Sequence, residues 1–345
     1  MHTLRRFKTV LLGEDTSVES IYAQLESGGV PIADVDCRSC SDPCDEGHDP
    51  YPARFDVDME SQMLGSVKPY HRQIVISTGV TDWDRDISST KGTLASYLEH
   101  VTHRPRLSSS PSQKKSSTSV SGVFNSTGPS TRISVLNGSH RTLSEDPDMD
   151  TVLVFPDYKL VCDIPRSAEG AQTLWDTCLD PLDGPLSEKS TLSTWVIPYS
   201  CVILLCSHKR RDNRCSIAAS KLGQEFTHSL EREGWSVDTE VEHPDSKPIE
   251  SLKESQEEYV SEKLRELPTM KKALILRNSH TGGHKFAGNC IIYTPQGYGV
   301  WYGRVSTHEV DAIVVNTIQK GLVLPPLLRG GVNISRPGCK SLNDW

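Results

Sequence analysis

An α/β (α+β) architecture is predicted by three observations. Short β-branched runs alternate with segments of helical period, the alternation is most regular in the second half, and a polar, serine-rich stretch interrupts the first half. At 345 residues the chain has room for two ordinary domains with their own cores.

Residues 1–50 are polar and cysteine-bearing, lead into Asp49-Pro-Tyr-Pro52 at their end, and read as a loosely ordered lead-in. An N-terminal α+β domain is expected over 51–195, opening with a strand at 73–77 and a brief helix at 93–100. From 106 to 130 serine, threonine, proline and lysine dominate, so too little apolar surface is available to offset the entropy of ordering, and a disordered insertion is expected. Strands follow at 132–136, 151–155 and 158–162, the last two close enough for a hairpin, and a polar connector covers 163–195. The second domain, 196–325, reads strand 201–205, helix 216–233, strand 235–241, helix 250–265 and strand 272–277. Strands 289–293 and 299–303 and a helix at 307–320 complete it, and 326–345 reads as a C-terminal tail. A βαβ unit followed by a hairpin and a closing helix is the order of a thioredoxin-like layer. Ala218, Leu222, Phe226 and Leu230 recur at helical spacing and are expected to face its sheet.

Net charge −8 and a pI near 5.8 argue against a nucleic-acid binder, which needs a dense basic face. No apolar run approaches the roughly eighteen residues of a membrane span. The start lacks the charged, apolar and cleavage segments of a secretory leader, so the ten cysteines read as reduced thiols or ligands rather than disulfides. Met1-His-Thr-Leu-Arg-Arg-Phe-Lys8 has some presequence character, but Glu14 and Asp15 interrupt it. A cytoplasmic location is therefore expected, with the mitochondrial matrix as the alternative.

Two blocks carry the chemistry. Cys206-Ser-His-Lys-Arg-Arg-Asp-Asn-Arg-Cys215 follows one apolar strand and His280-Thr-Gly-Gly-His284 follows another. Adjacent strand ends would gather two thiolates and two imidazoles around one point, a donor set suited to zinc or to a [2Fe–2S] cluster. The cations Lys209, Arg210, Arg211 and Arg214 favour thiolate over thiol. Gly282 and Gly283 allow the turn that brings both rings to one side. Arg211 and Asp212 are candidates for orienting the loop or for hydrogen-bonding a ligand ring. Two unrelated cysteines and a surface pair of histidines are the bland alternative.

Leu205 to Cys215, His280 to Asn289 and Trp301 to Val305 resemble the sucrase/ferredoxin-like family. The resemblance is specific over about 200–305; in the first half only the strand pattern and Leu153-Val-Phe-Pro156 match it. It implies a thioredoxin-like ferredoxin domain whose [2Fe–2S] cluster is held by Cys206, Cys215, His280 and His284. No carboxylate pair is placed for sugar hydrolysis.

The expected function is that of a one-electron carrier or redox sensor rather than an enzyme with its own substrate, working with an electron donor and acceptor that the sequence does not name. A zinc-stabilised binding module and a thiol oxidoreductase are the rivals, the second weakened because the cysteine ending the strand at 201–205 is not part of a Cys-x-x-Cys pair. Cys37, Cys40, Cys44 and His48 have the spacing of a second metal site or of free thiols in a flexible lead-in. Cys162 and Cys290 read as buried small hydrophobes. The terminal Asp344-Trp345 resembles a tail read by the cytosolic iron–sulfur assembly machinery, or one that packs or frays.

Overall fold

The computed structural model describes residues 18–35, 37, 50–102, 120–180, 192–253 and 255–344. In chain order the elements are α1 (Val18–Ser27), β1 (Arg72–Ser77), α2 (Leu94–Thr102), β2 (Val123–Phe124), β3 (Ile133–Gly138), β4 (Met149–Phe155), β5 (Lys159–Pro165), α3 (Ala168–Leu174) and β6 (Ser193–Val196). They continue as β7 (Cys201–Cys206), α4 (Asn213–Arg232), β8 (Ser236–Asp238), α5 (Gln256–Glu266), β9 (Lys272–Asn278), β10 (Cys290–Tyr293), β11 (Gly299–Tyr302), α6 (Thr307–Ala312) and β12 (Leu328–Val332). All twelve strands join one mixed sheet in the order β2-β12-β11-β10-β7-β9-β3-β1-β4-β5-β6, with β8 beside the start of β9.

The predicted α/β architecture is present. Every residue of β7 is buried, as expected for a strand covered on both faces, and it pairs in parallel with β9 and antiparallel with β10. On one face Ala218, Leu222, Phe226 and Leu230 of α4 pack against Ile203, Leu205 and Ile275. The other face is lined by Val202, Leu204, Leu276, Ile291 and Trp301.

The first half repeats the pattern of the second. β1 pairs in parallel with β3 and antiparallel with β4, and β4 pairs antiparallel with β5. The halves meet where Gly138 of β3 stands opposite Asn278 of β9. Ser139 and Ser279 close this seam reciprocally: the Ser139 hydroxyl accepts from Arg277 N at 3.1 Å and the Ser279 hydroxyl from Asn137 N at 3.0 Å. A second link is a buried polar chain, in which Trp301 donates to the Tyr70 hydroxyl (3.0 Å), Tyr70 and Tyr293 share a 2.6 Å bond, and Tyr293 donates to Gln73 (2.9 Å).

Four segments differ from the sequence expectation, each because apolar anchors were sparse along the chain. Within the lead-in, α1 buries Leu25 and the following turn buries Val30 and Ala33, while Ala33 N and Val323 N bond across to Val323 O (2.8 Å) and Pro31 O (2.9 Å) respectively. The expected insertion lies outside the described residues up to 119, but its last part forms β2, which pairs with β12 and sets Phe124 edge-on to Tyr70. In the connector, Ser167 caps α3 and Ala171, Leu174, Trp175 and Leu179 are buried; β6 then adds an edge strand to β5. The tail contains β12, where the bare backbones of Gly330 and Gly331 admit close strands: a Cβ on Gly330 would lie 2.3 Å from Gly122 O and one on Gly331 2.6 Å from Gly299 O.

Leu25 tests the packing of α1. Leu25→Ala is expected to cost about 2–5 kcal/mol in denaturant unfolding, the range for a fully buried leucine; a loss of only a few tenths would mean that α1 is not part of the core.

Candidate metal centre

The parallel register of β7 and β9 aligns Cys206 with Asn278, so the loops that follow both strands leave the sheet at the same end. The first loop is short and tightly bonded. Asp212 N donates to His208 O at 3.0 Å, and the Asp212 carboxylate caps α4 by accepting from Arg214 N at 3.0 Å. The cap sets Cys215 in the first turn of α4. Arg214 Nη2 bridges back to Asp212 at 2.7 Å and holds that carboxyl below its ordinary range.

The second loop is shaped by glycine. Gly282 and Gly283 both adopt positive φ, 78° and 67°, and a Cβ on Gly283 would lie 2.5 Å from Arg329 Nη2. This turn returns the chain so that the rings of His280 and His284 lie 5.5 Å apart between centroids.

Cys206 Sγ, Cys215 Sγ and a ring nitrogen of His280 converge, all within 4.8 Å of one another, and His280 Nδ1 is 4.0 Å from Cys206 Sγ. His284 is exposed and stands outside this tight trio, next to His280. Both cysteines are free and buried, and the contact between them moves their acidities in opposite directions. Cys206 is held well below the usual thiol range, chiefly because Cys215 donates its S–H to it, with His280 and the Thr281 amide adding to the effect against the cost of burial. Cys215 is pushed up by that same hydrogen bond and by burial.

Two residues central to this arrangement were not singled out from the sequence. His208 is buried; its Nε2 bonds to Trp83 O at 2.9 Å, which leaves Nδ1 to accept from the His280 amide at 3.2 Å, so it braces the second loop from the first. Its position inside the first block was the available signal. Arg329 is also buried: it donates from Nη1 to Gly282 O (3.1 Å) and Asn289 Oδ1 (2.7 Å) and from Nε to the Ser66 hydroxyl (3.0 Å). Asn289 in turn donates to Gly283 O at 3.1 Å, so one clamp holds both glycine carbonyls. Burial lowers Arg329 to about 10, with the charges of Cys206 and Cys215 opposing the shift. Nothing in the glycine-rich tail marks this arginine, because only the pairing of β12 with β11 carries it under the loop.

The remaining candidates divide. Arg211 is exposed and donates to Arg85 O at 3.1 Å rather than to a ligand ring. Cys162 and Cys290 are buried in strands, and burial raises both thiols, Cys162 to about 12. Cys37 is half-buried, whereas Cys40, Cys44 and His48 lie outside the described residues. The Asp344 carboxylate accepts from Lys340 N and Ser341 N, both at 3.1 Å, and Trp345 lies outside the described residues. Among the described residues no helix is long and apolar enough to cross a membrane.

Comparison with known proteins places the chain. It is 30% identical over 132 residues to Altered inheritance of mitochondria protein 32 of Meyerozyma guilliermondii, covering 38% of this chain and 35% of that protein. The protein of the same name from Clavispora lusitaniae is 32% identical over 129 residues, covering 37% and 34%. These matches span about a third of the relatives' length. Actin patches distal protein 1 of Saccharomyces cerevisiae is 27% identical over 299 residues, covering 81% of this chain and 80% of that protein. No solved structure matches. The sequence profile of the sucrase/ferredoxin-like family spans residues 63–330, from the loop before β1 to the middle of β12, and the chain belongs to that family.

Proposed function

We propose that this protein binds a [2Fe–2S] cluster through Cys206, Cys215, His280 and His284 in a thioredoxin-like ferredoxin layer, and serves as a one-electron carrier or redox sensor. The observation that carries the reading is the convergence of two buried thiols and one imidazole at the ends of two parallel strands, with a second imidazole beside them. The donor chemistry fits: thiolates and imidazoles are the ligands of mixed iron–sulfur centres. When bound, such a cluster accepts and returns single electrons.

The chain's own residues set the terms. Two neutral imidazoles in place of two thiolates remove negative charge from the centre, and the buried cation Arg329 opposes what remains. Both favour uptake of an electron and raise the potential above that of an all-cysteine site. Arg329, Asn289 and His208 hold the histidine loop in place, so little reorganisation is needed on electron transfer. A cytoplasmic location with donor and acceptor proteins fits this role, and Asp344 and Trp345 offer a tail to the iron–sulfur assembly machinery. The names of the relatives point to mitochondria as the alternative location.

The tightness of the trio supports a second reading. A tetrahedral zinc spaces its donors by roughly 3.5 Å, and the 4.0 Å between Cys206 and His280 is close to that. Protein purified without air separates the two. Iron with equimolar acid-labile sulfide and visible absorption bleached by dithionite supports the cluster; colourless protein holding a single zinc sinks it.

Two variant series follow. His280→Cys and His284→Cys are each expected to keep a cluster and to lower its midpoint potential; a histidine whose replacement leaves spectrum and potential unchanged is not a ligand. Arg329→Met is expected to shift the reduction equilibrium at least tenfold toward the oxidised form, about 59 mV for one electron, while Arg329→Lys retains most of the potential. Equal potentials in the two variants would remove charge as the cause.

A further inference from the structure

A cleft of about 270 Å³ opens beside the candidate centre, walled on one side by β3 and on the other by His280, Thr281, Gly282 and Trp301. No residue lining it is acidic, although the chain as a whole has net charge −8. Two cations reach its rim, Lys68 and Arg132. Arg132 gives one hydrogen bond to Lys68 O at 3.3 Å, and among the described residues neither side chain has an ion-pair partner. A third cation stands directly behind the wall: Arg329 donates to Ser66 Oγ and Gly282 O, and both of those residues line the cleft. Lys68 and Arg132, with no carboxylate in the lining, raise the local potential at the rim. The rest of the lining is of two kinds. Ser66, Ser134 and Thr281 supply hydroxyls, and Val67, Leu136 and Trp301 an apolar wall. Inorganic ions need no such wall, and the volume is below that of most drug-sized sites.

We propose that this cleft binds a small organic oxyanion, with Lys68 and Arg132 holding its carboxylate or phosphate and Trp301 packing against its apolar body. The occupant would lie against His280, so binding would report directly on the candidate centre. The inference stands on the cleft alone and is independent of which metal the centre holds.

Titration calorimetry of the full chain as purified, with benzoate, phenyl phosphate and neutral benzamide as matched probes, tests it. At least one anion is expected to bind, benzamide at least tenfold more weakly, and the arm that binds better distinguishes carboxylate from phosphate recognition. The double variant Lys68→Gln with Arg132→Gln is expected to weaken anion binding at least tenfold at an unchanged unfolding midpoint. If its midpoint falls, Lys68→Gln alone, at an exposed position, is expected to weaken binding in the same direction. Benzamide binding as tightly as benzoate, no binding of either anion, or undiminished affinity in the variants would overturn the proposal. Because iron, zinc or neither leaves these readouts defined, a failure here is distinct from a failure of the cluster reading.

Discussion

The register between β7 and β9 is the constraint from which the candidate centre follows. With Cys206 set beside Asn278, the chain has two residues in which to reach His280, and the hydrogen bond from Ser207 N to Asn278 O at 3.0 Å holds the two exits together. A slip of one residue would turn Cys206 to the opposite face of the sheet. Burial on both faces forbids that slip, because the apolar run of β7 is fitted between α4 on one side and the Trp301 and Tyr293 layer on the other. Hydrophobic packing remote from the sulfurs therefore decides where the sulfurs stand.

Charge is managed by the same architecture. The hydrogen bond from Cys215 favours a thiolate at Cys206, and the buried guanidinium of Arg329 lies close enough to feel both sulfurs. Its partners among the described residues are a hydroxyl, an amide and a backbone carbonyl, all neutral, so its charge is balanced by no carboxylate in the hydrogen bonds it makes. A buried cation of this kind is costly unless an anion is near. Cys206, the more acidic thiol of the pair, is the anion that supplies that balance, and the glycine at 283 is what lets the guanidinium and the histidine loop come so close.

The halves share a strand order, and their registers correspond. Ser77 ends β1 opposite Gly138 just as Cys206 ends β7 opposite Asn278, and His140 follows Gly138 by two residues as His280 follows Asn278. The first half thus keeps an imidazole, buried at His140, but has a hydroxyl where the second has a thiol. The local pattern Ser-His after a strand occurs at 139–140 and 279–280 in the chain. Its meaning was illegible without the sheet, since the crossovers between the parallel strands differ in length and content and the matching residues share little else.

From the amino-acid order alone came the elements with strong periodicity: β7, α4, β9, the hairpins β4–β5 and β10–β11, and the two blocks with their ligand-type side chains. These are legible because burial on a strand or one helix face leaves a repeat of two or 3.6 residues, and because Cys and His in short spaced pairs are uncommon without a task. Tertiary structure decided what has no local period. It placed α1 and β2 by a handful of apolar contacts, made a strand of the glycine-rich β12, turned Arg329 beneath the histidine loop and set His208 as its brace. Each of these depends on a partner more than a hundred residues away or on a neighbouring strand, so the relevant energy is a contact energy, and contact energies are written in the folded sheet rather than along the chain.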